Sequence, residues 1–480
     1  MKAKRSCFPL LGVAALTALT ACTESPKTLS GTSTFDIVVT GVNGGAVPTA
    51  KAPLPPNRGD RDETWDFEIQ ARSAYGERVP FDGMVRLSVE PGTVKHVDGM
   101  GSQGRNIKLE NGVAKGTAIV SAVYGPARLW VEDLGYEPAP AGSKPECANG
   151  QDDDGDVLID FPADPGCAFA DDNNEEGGSF AAGISPAVPY ELPALSDIQG
   201  ESSTTPFPYE AIEVNTNRPK PLVVTRVASD GFYVTDLSEQ STGYNHIFAF
   251  NFSTPSRMRV CDRVTFLSGT VVEFFGFTEL SFPSYKLNFV IQGQDKCEVP
   301  EPALLDEALI ANPVGMEKVE SGLVRIEGFR VASKFAPKPV VNLVPDEEHS
   351  NCDLNGDGQV DFTNPTESAC SDNCAKDADC TEWTSFSARG NYKVSKNGTQ
   401  IQINTGTAAS FDPTGHKGEV LDAVTGTLRN FSGGSLNWTV ETRCPDDLVC
   451  QTAGCVKAVL PSASACVRLR TATDNDQGTN

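Results

Sequence analysis

Two neighbouring stretches decide the fold: residues 231–252, GFYVTDLSEQSTGYNHIFAFNF, and residues 261–280, CDRVTFLSGTVVEFFGFTEL. In both, apolar side chains alternate with polar ones and break at Asp, Ser, Gly and Asn, the pattern of half-buried β-strands joined by turns. The alternation predicts strands over 231–236, 247–252 and 263–274, flanked by 222–227 and 285–291. Working toward the N-terminus, the same period places strands at 35–42, 65–72, 84–90, 113–123 and 127–133, spaced by turn residues as in a sandwich. The chain is thus expected to be mainly β, and 44 Gly with 33 Pro in 480 residues suit several modest domains with turn-rich loops.

The first 22 residues read as an address. Lys2, Lys4 and Arg5 precede an apolar run, 8–21, that is too short for a stable bilayer span. The run ends Leu19-Thr20-Ala21-Cys22, which resembles the lipobox of bacterial lipoproteins. That resemblance implies a lipidated Cys22 and a membrane partner through the acyl chains. Thr23 stands where the family's inner-membrane retention aspartate would be, which implies the outer membrane, on its periplasmic or extracellular face. A tether, 22–34, follows the signal peptide, 1–21.

Cysteine use agrees with export. Setting aside Cys7 in the signal and Cys22, twelve remain: Cys147, Cys167, Cys261, Cys297, Cys352, Cys370, Cys374, Cys380, Cys444, Cys450, Cys455 and Cys466. An even set in an exported chain points to disulfides. Local staples Cys147 with Cys167 and Cys261 with Cys297 are expected, whereas the eight from Cys352 onward allow 105 pairings. Zinc is the competing use for the dense 370–380 cluster.

The net charge of −25 constrains partners. A body this acidic repels phosphate backbones, so nucleic acid is not an expected partner. The basic run 256–263, SRMRVCDR, is the one local exception.

Three stretches carry resemblances. GERVPFDGMVRLSVEPGTV (76–94) with NGVAKGTAIVSAVYGPARLWVEDLGY (111–136) resembles bacterial immunoglobulin-like domains, over 35–137. The GFYV, DRV and GFTEL elements are similar to small oligomer-binding (OB) barrels appended to secreted bacterial nucleases, over 196–300. Gly269-Thr270-Val271-x-x-Phe274-x-Gly276 is echoed by Gly426-Thr427-Leu428-x-x-Phe431-x-Gly433, which suggests a second such barrel over 301–470, ahead of a tail, 471–480. The expected fold class is a sandwich followed by two OB-like barrels, disulfide-stapled, with calcium-loop insertions. Phe274, Phe275 and Phe277 are candidates for an aromatic ligand platform, with barrel filling as the alternative. Arg58-Gly59-Asp60 reads as a solvated turn.

Two acidic segments point to a cation. In residues 353–361, Asp353, Asn355, Asp357 and Asp361 hold positions 1, 3, 5 and 9 of an EF-hand-like loop, with Gly358 at the turn and Gln359 offering its carbonyl. This resembles dockerin-type calcium loops but lacks the acid at position 12, where Asn364 stands. The Cys147–Cys167 segment, CANGQDDDGDVLIDFPADPGC, sets Asp152, Asp154, Asp156 and Asp160 at the same spacings, without lysine or arginine. It looks like segments found in many exported proteins of myxobacteria. Calcium in a disulfide-closed ring and a solvated acidic linker, spanning 138–195, are both compatible with it. The calcium reading expects residues 157–159 as an apolar foot and Asp171 and Asp172 as a solvated tail.

No GxSxG, HExxH or GxxxxGK[ST] motif occurs, and His96, His246, His349 and His416 are scattered. The expected function is non-enzymatic: a calcium-stabilised lipoprotein presenting modules for adhesion, envelope organisation or protein or glycan recognition. The alternative is an accessory OB-fold component of extracellular nucleic-acid or phosphodiester processing.

Overall fold

The computed structural model of the protein describes residues 33–239, 243–331, 389–407, 411–416, 418–432, 435–451 and 466–471, with positions 386 and 474. Cys22 and the loop of Asp353, Asn355, Asp357, Gln359 and Asp361 lie outside the described residues, as do Cys352, Cys370, Cys374, Cys380 and Cys455. The protein is mainly β. Among the described residues no helix is long and apolar enough to cross a membrane.

The N-terminal unit is a two-sheet sandwich. One sheet runs β1 (Thr34–Val42), β2 (Glu63–Arg72), β6 (Val113–Ser121), β4 (Thr93–Gly99). The other runs β5 (Asn106–Lys108), β3 (Met84–Glu90), β7 (Pro126–Asp133), β8 (Gly183–Ile184), with β9 (Val188–Pro189) also on β7. In β2 the buried residues alternate as Trp65, Phe67, Ile69 and Ala71, which gives the sheet one wet and one dry face. The inner faces of both sheets merge into one core around these residues.

Part of the expected 138–195 linker belongs to this sandwich. Both β8 and β9 pair with β7, and buried Trp65 donates Nε1–H to Tyr190 Oη at 3.1 Å. The Pro-rich composition of 183–193 marks sheet-edge strands, where a missing N–H is tolerated.

Two closed five-stranded barrels follow. The first is built from β11 (Leu222–Ala228), β12 (Gly231–Asp236), β13 (His246–Phe250), β15 (Thr278–Asn288) and β14 (Arg263–Glu273), in that order, with β14 closing back on β11. β10 (Ala211–Glu213) adds to β14. The second, after β16 (Ala303–Leu304), repeats the order with β17 (Leu323–Val331), β18 (Asn391–Lys396), β19 (Thr399–Asn404), β21 (Ser435–Glu441) and β20 (Val420–Ser432), and β22 (Leu448–Cys450) joins β20. Each closes through one parallel pair, β13 with β15 and β19 with β21. The echoed Gly-Thr motifs both fall on the fourth strand of their barrel. Three short helices, α1 (Leu195–Gln199), α2 (Glu307–Ile310) and α3 (Pro313–Glu317), lie ahead of the barrels.

The units are packed against each other. Tyr124 Oη donates to the carbonyl of Ala211 at 2.7 Å, and Ala122 and Tyr124 share the core cluster of the first barrel. Arg58-Gly59-Asp60 is not a solvated turn: Gly59 N–H bonds the Pro206 carbonyl, and a Cβ at Gly59 would lie 2.0 Å from that oxygen. The disulfides Cys147–Cys167 and Cys261–Cys297 are formed, Cys444 pairs with Cys466, and Cys450 is also disulfide-bonded.

Candidate functional site

The acidic ring projects from the sandwich on a polar clasp. Asp172, fully buried, accepts from the N–H groups of Glu137 at 2.8 Å and Ala168 at 3.1 Å, and Asn174 Nδ2 donates to the Gly135 carbonyl. Gly166 lets the chain cross itself, because a Cβ there would sit 1.7 Å from the Glu175 carbonyl oxygen. The expected solvated tail is therefore part of the ring's attachment. A carboxylate that accepts two backbone N–H groups can be buried without a cation, which composition alone does not reveal.

Inside the ring two carboxylate triads meet at Asp154. Oxygens of Asp152, Asp154 and Asp156 lie within 4.8 Å of one another at the surface, and oxygens of Asp154, Asp164 and Glu175 do so beneath. Asp164 and Glu175 are each only 1% exposed. Glu175 is oriented by the N–H groups of Asp153 (2.6 Å) and Asp160 (3.3 Å), and Asp164 Oδ1 by that of Gly166 (2.6 Å). Asp164 Oδ2 is buried with no hydrogen-bond partner. At Asp154 the Asp156 N–H favours the charged form, but desolvation and the charges of Asp156, Asp164 and Asp152 raise its pKa on balance.

Sequence spacing places Asp160 with the ligands and leaves out Asp164 and Glu175. In the structure Asp164 and Glu175 converge on Asp154, and both Asp160 oxygens accept from Gly150 N–H, at 3.0 and 2.9 Å. The apolar foot is also corrected. Val157 is 82% exposed, and Leu158, Ile159 and Phe161 are exposed as well. Val157 takes a left-handed φ of 78°, which directs the run away from the fold.

The candidate aromatic platform divides. Phe275 is exposed and Phe274 partly so at the β14–β15 turn, but Phe277 is fully buried. Its ring lies 5.8 Å from Phe248, and the Arg429 guanidinium from the second barrel stands over both rings, at 5.3 Å from Phe277 and 4.9 Å from Phe248. Arg429 also reaches Asp230 at 3.4 Å. A β-bulge between Val224 and Arg226 turns Arg226 outward over Tyr233, where it bonds Glu441 of the second barrel at 2.6 Å. The aromatic outer face of the first barrel is thus covered by the second.

A different aromatic strip is open. Phe250 packs against Phe252 in a tilted arrangement with centroids 4.2 Å apart, and Phe252 lies 5.4 Å from Phe282. Phe252 is 67% and Phe282 71% exposed. The signal was present in Phe248-x-Phe250-x-Phe252, whose alternation runs past the end of β13. Two of the three arginines in the basic run 256–263 are paired with acids, Arg259 with Asp474 and Arg263 with Glu298, and Arg257 is exposed. An open cleft of about 1130 Å³ between the barrels mixes Lys220, Lys296 and Lys318 with Glu298, Glu301 and Asp446.

Comparison with protein-family models, with curated proteins and with solved structures finds no match.

Proposed function

We propose that the protein is a non-enzymatic, calcium-stabilised lipoprotein of the outer membrane, anchored through Cys22, that presents binding modules to a protein or glycan. The observation that carries this reading is the buried triad of Asp154, Asp164 and Glu175 with its unpartnered Asp164 oxygen. Three converging carboxylates, Asp154 and Asp164 from the ring and Glu175 from the segment after it, repel one another, and a hard divalent cation removes that repulsion while taking only oxygen ligands. Calcium fits this donor set, with Asp152 and Asp156 completing it from the surface. The ring is closed by a disulfide of a span that contributes roughly 3 kcal/mol, which limits the ordering left for the ion to do.

The strand order of the two barrels supports their reading as OB-like, and the two packed sheets support an immunoglobulin-like sandwich. The exposed rings of Phe252 and Phe282, backed by the partly buried Phe250, offer apolar ring faces of the kind that stack on sugars or anchor a protein partner. The barrel likeness is also what favours the alternative, accessory nucleic-acid processing. Two observations weigh against that alternative: the first barrel's aromatic face is covered by Arg429, and Arg259 and Arg263 are paired with acids.

The test is calorimetric unfolding of residues 23–480 with millimolar calcium and then with chelator, on the wild type and on Asp164→Asn. A calcium-dependent rise in Tm that Asp164→Asn removes supports the reading, and an unchanged Tm with intact disulfides makes the ring a solvated appendage.

A further inference from the structure

A second group of carboxylates is buried where the first barrel meets the entry to the second. Glu320, 1% exposed, follows α3, and its Oε1 accepts from the Thr278 N–H at 3.1 Å and from Nε2 of Gln199 at the end of α1. The other oxygen of each side chain, Gln199 Oε1 and Glu320 Oε2, is buried without a partner. Both are acceptors while the carboxyl is ionised. One hydrogen on Glu320 Oε2 supplies the missing donor, and the planar carboxyl and carboxamide are then complementary at both positions.

The surroundings disfavour a charged Glu320. β14 contributes Glu273, whose Oε2 accepts from Thr205 N–H and Thr278 Oγ1. β15 contributes Glu279, directed toward Ser281 and Arg429, and α3 contributes Glu317. From α1, Asp197 is engaged with the Ala194 N–H. The nearest base on β13, His246, contacts Gly322 and bonds Thr235. Lys318 points its ammonium over the Tyr244 ring at 6.0 Å. These carboxylates do not converge as a metal-ligand triad among the described residues, in contrast to the acidic ring.

We propose that Glu320 is held as the neutral carboxylic acid and forms with Gln199 a two-bond carboxyl–carboxamide pair, a proton-dependent latch between α1 and the entry to the second barrel. Desolvation, then the charge of Glu317, raises the Glu320 pKa well above the ordinary carboxyl value, and desolvation also lifts Glu317 to about 7. An acid with a raised folded-state pKa holds its proton more tightly folded than unfolded. Its contribution is fully present below the unfolded pKa and is lost as pH rises toward the folded one. The latch is closed while Glu320 holds its proton and opens as pH rises through its raised folded-state value.

Glu320→Gln replaces the acid by a group that donates and accepts at the same two positions at every pH. The expected result is a Tm at pH 7 equal to or above that of the wild type, a smaller loss of Tm as pH rises above the ordinary carboxyl range, and loss of a protonated-carboxyl stretch in the difference infrared spectrum. Gln199→Met, which removes both carboxamide partners of the acid and leaves only the Thr278 N–H, is expected to lower the Tm at pH 7 by about 3 °C or more. An unstable or unfolded Glu320→Gln, the same pH slope in that variant, an absent carboxyl stretch, or an indifferent Gln199→Met would each overturn the latch. None of these readouts involves calcium.

Discussion

The guanidinium of Arg429 lies 4.9 Å from the centre of the Phe248 ring, with residue 429 on the fourth strand of one barrel and residue 248 on the third strand of the other. Charge over an aromatic face is strongest where water is excluded. Both Phe248 and Phe277 are fully buried, and against the desolvation of Arg429 its charged form is held by the carboxylates of Glu441 and Asp230.

Removing this arginine should loosen the barrels from each other. Arg429→Ala is expected to destabilise the tandem unit by about 2–4 kcal/mol, because two ring faces lose their cation and Asp230 its partner. Denaturant unfolding would measure it, and a loss below about 0.5 kcal/mol would make the contact incidental.

Arg226 and Glu441 form the reciprocal contact, 2.6 Å apart with both side chains largely buried. A double-mutant cycle with Arg226→Met and Glu441→Gln should give a coupling of about 1–3 kcal/mol. Additive effects would show that the barrels dock without it.

On the proposed calcium reading, opening the acidic ring should weaken calcium binding. Cys147→Ser with Cys167→Ser is expected to cost roughly 3 kcal/mol of ring stability. Calcium titration calorimetry on that variant should show weaker binding than in the wild type; equal affinity would mean the carboxylates are ordered without the disulfide.

Acid should act at His246. Burial lowers its pKa to about 4, so the folded chain holds it neutral while the unfolded chain protonates near 6.5. Its contribution to stability is therefore present above about 6.5 and declines as pH falls toward 4. His246→Asn should flatten that part of the stability profile, and an unchanged slope would place the acid sensitivity elsewhere.

Substituting Phe252 and Phe282 with serine should leave Tm within about 2 °C of wild type, since both rings are mostly in water. The same pair should abolish retention on immobilised glycans or partner protein if the strip is the contact surface. Retained binding would exclude it.

Much of the strand pattern was legible because alternation survives wherever one sheet face is wet, as in β2 and β3. Legibility failed where two-residue edge strands lie in proline-rich sequence, at β8 and β9, and where a polar residue is satisfied by backbone. Asp172 and Glu175 read as solvent-facing from their charge, yet the N–H groups they accept come from Glu137, Ala168, Asp153 and Asp160. The placing of Asp160 and Asp164 has the same origin. A one-dimensional spacing rule presumes an EF-hand-like path, whereas this ring turns at Val157 and Asp160 with left-handed backbone. Phe277 was misplaced because its cover lies some 150 residues away, on β20.

The covered face also bears on dissection of the molecule. Expressed without its successor, the first barrel would turn Tyr233, Phe248 and Phe277 toward water at once and leave Arg226 without Glu441. A fragment cut between residues 300 and 301 would thus be prone to self-association, and the smallest piece that stays monodisperse is one that keeps both barrels together.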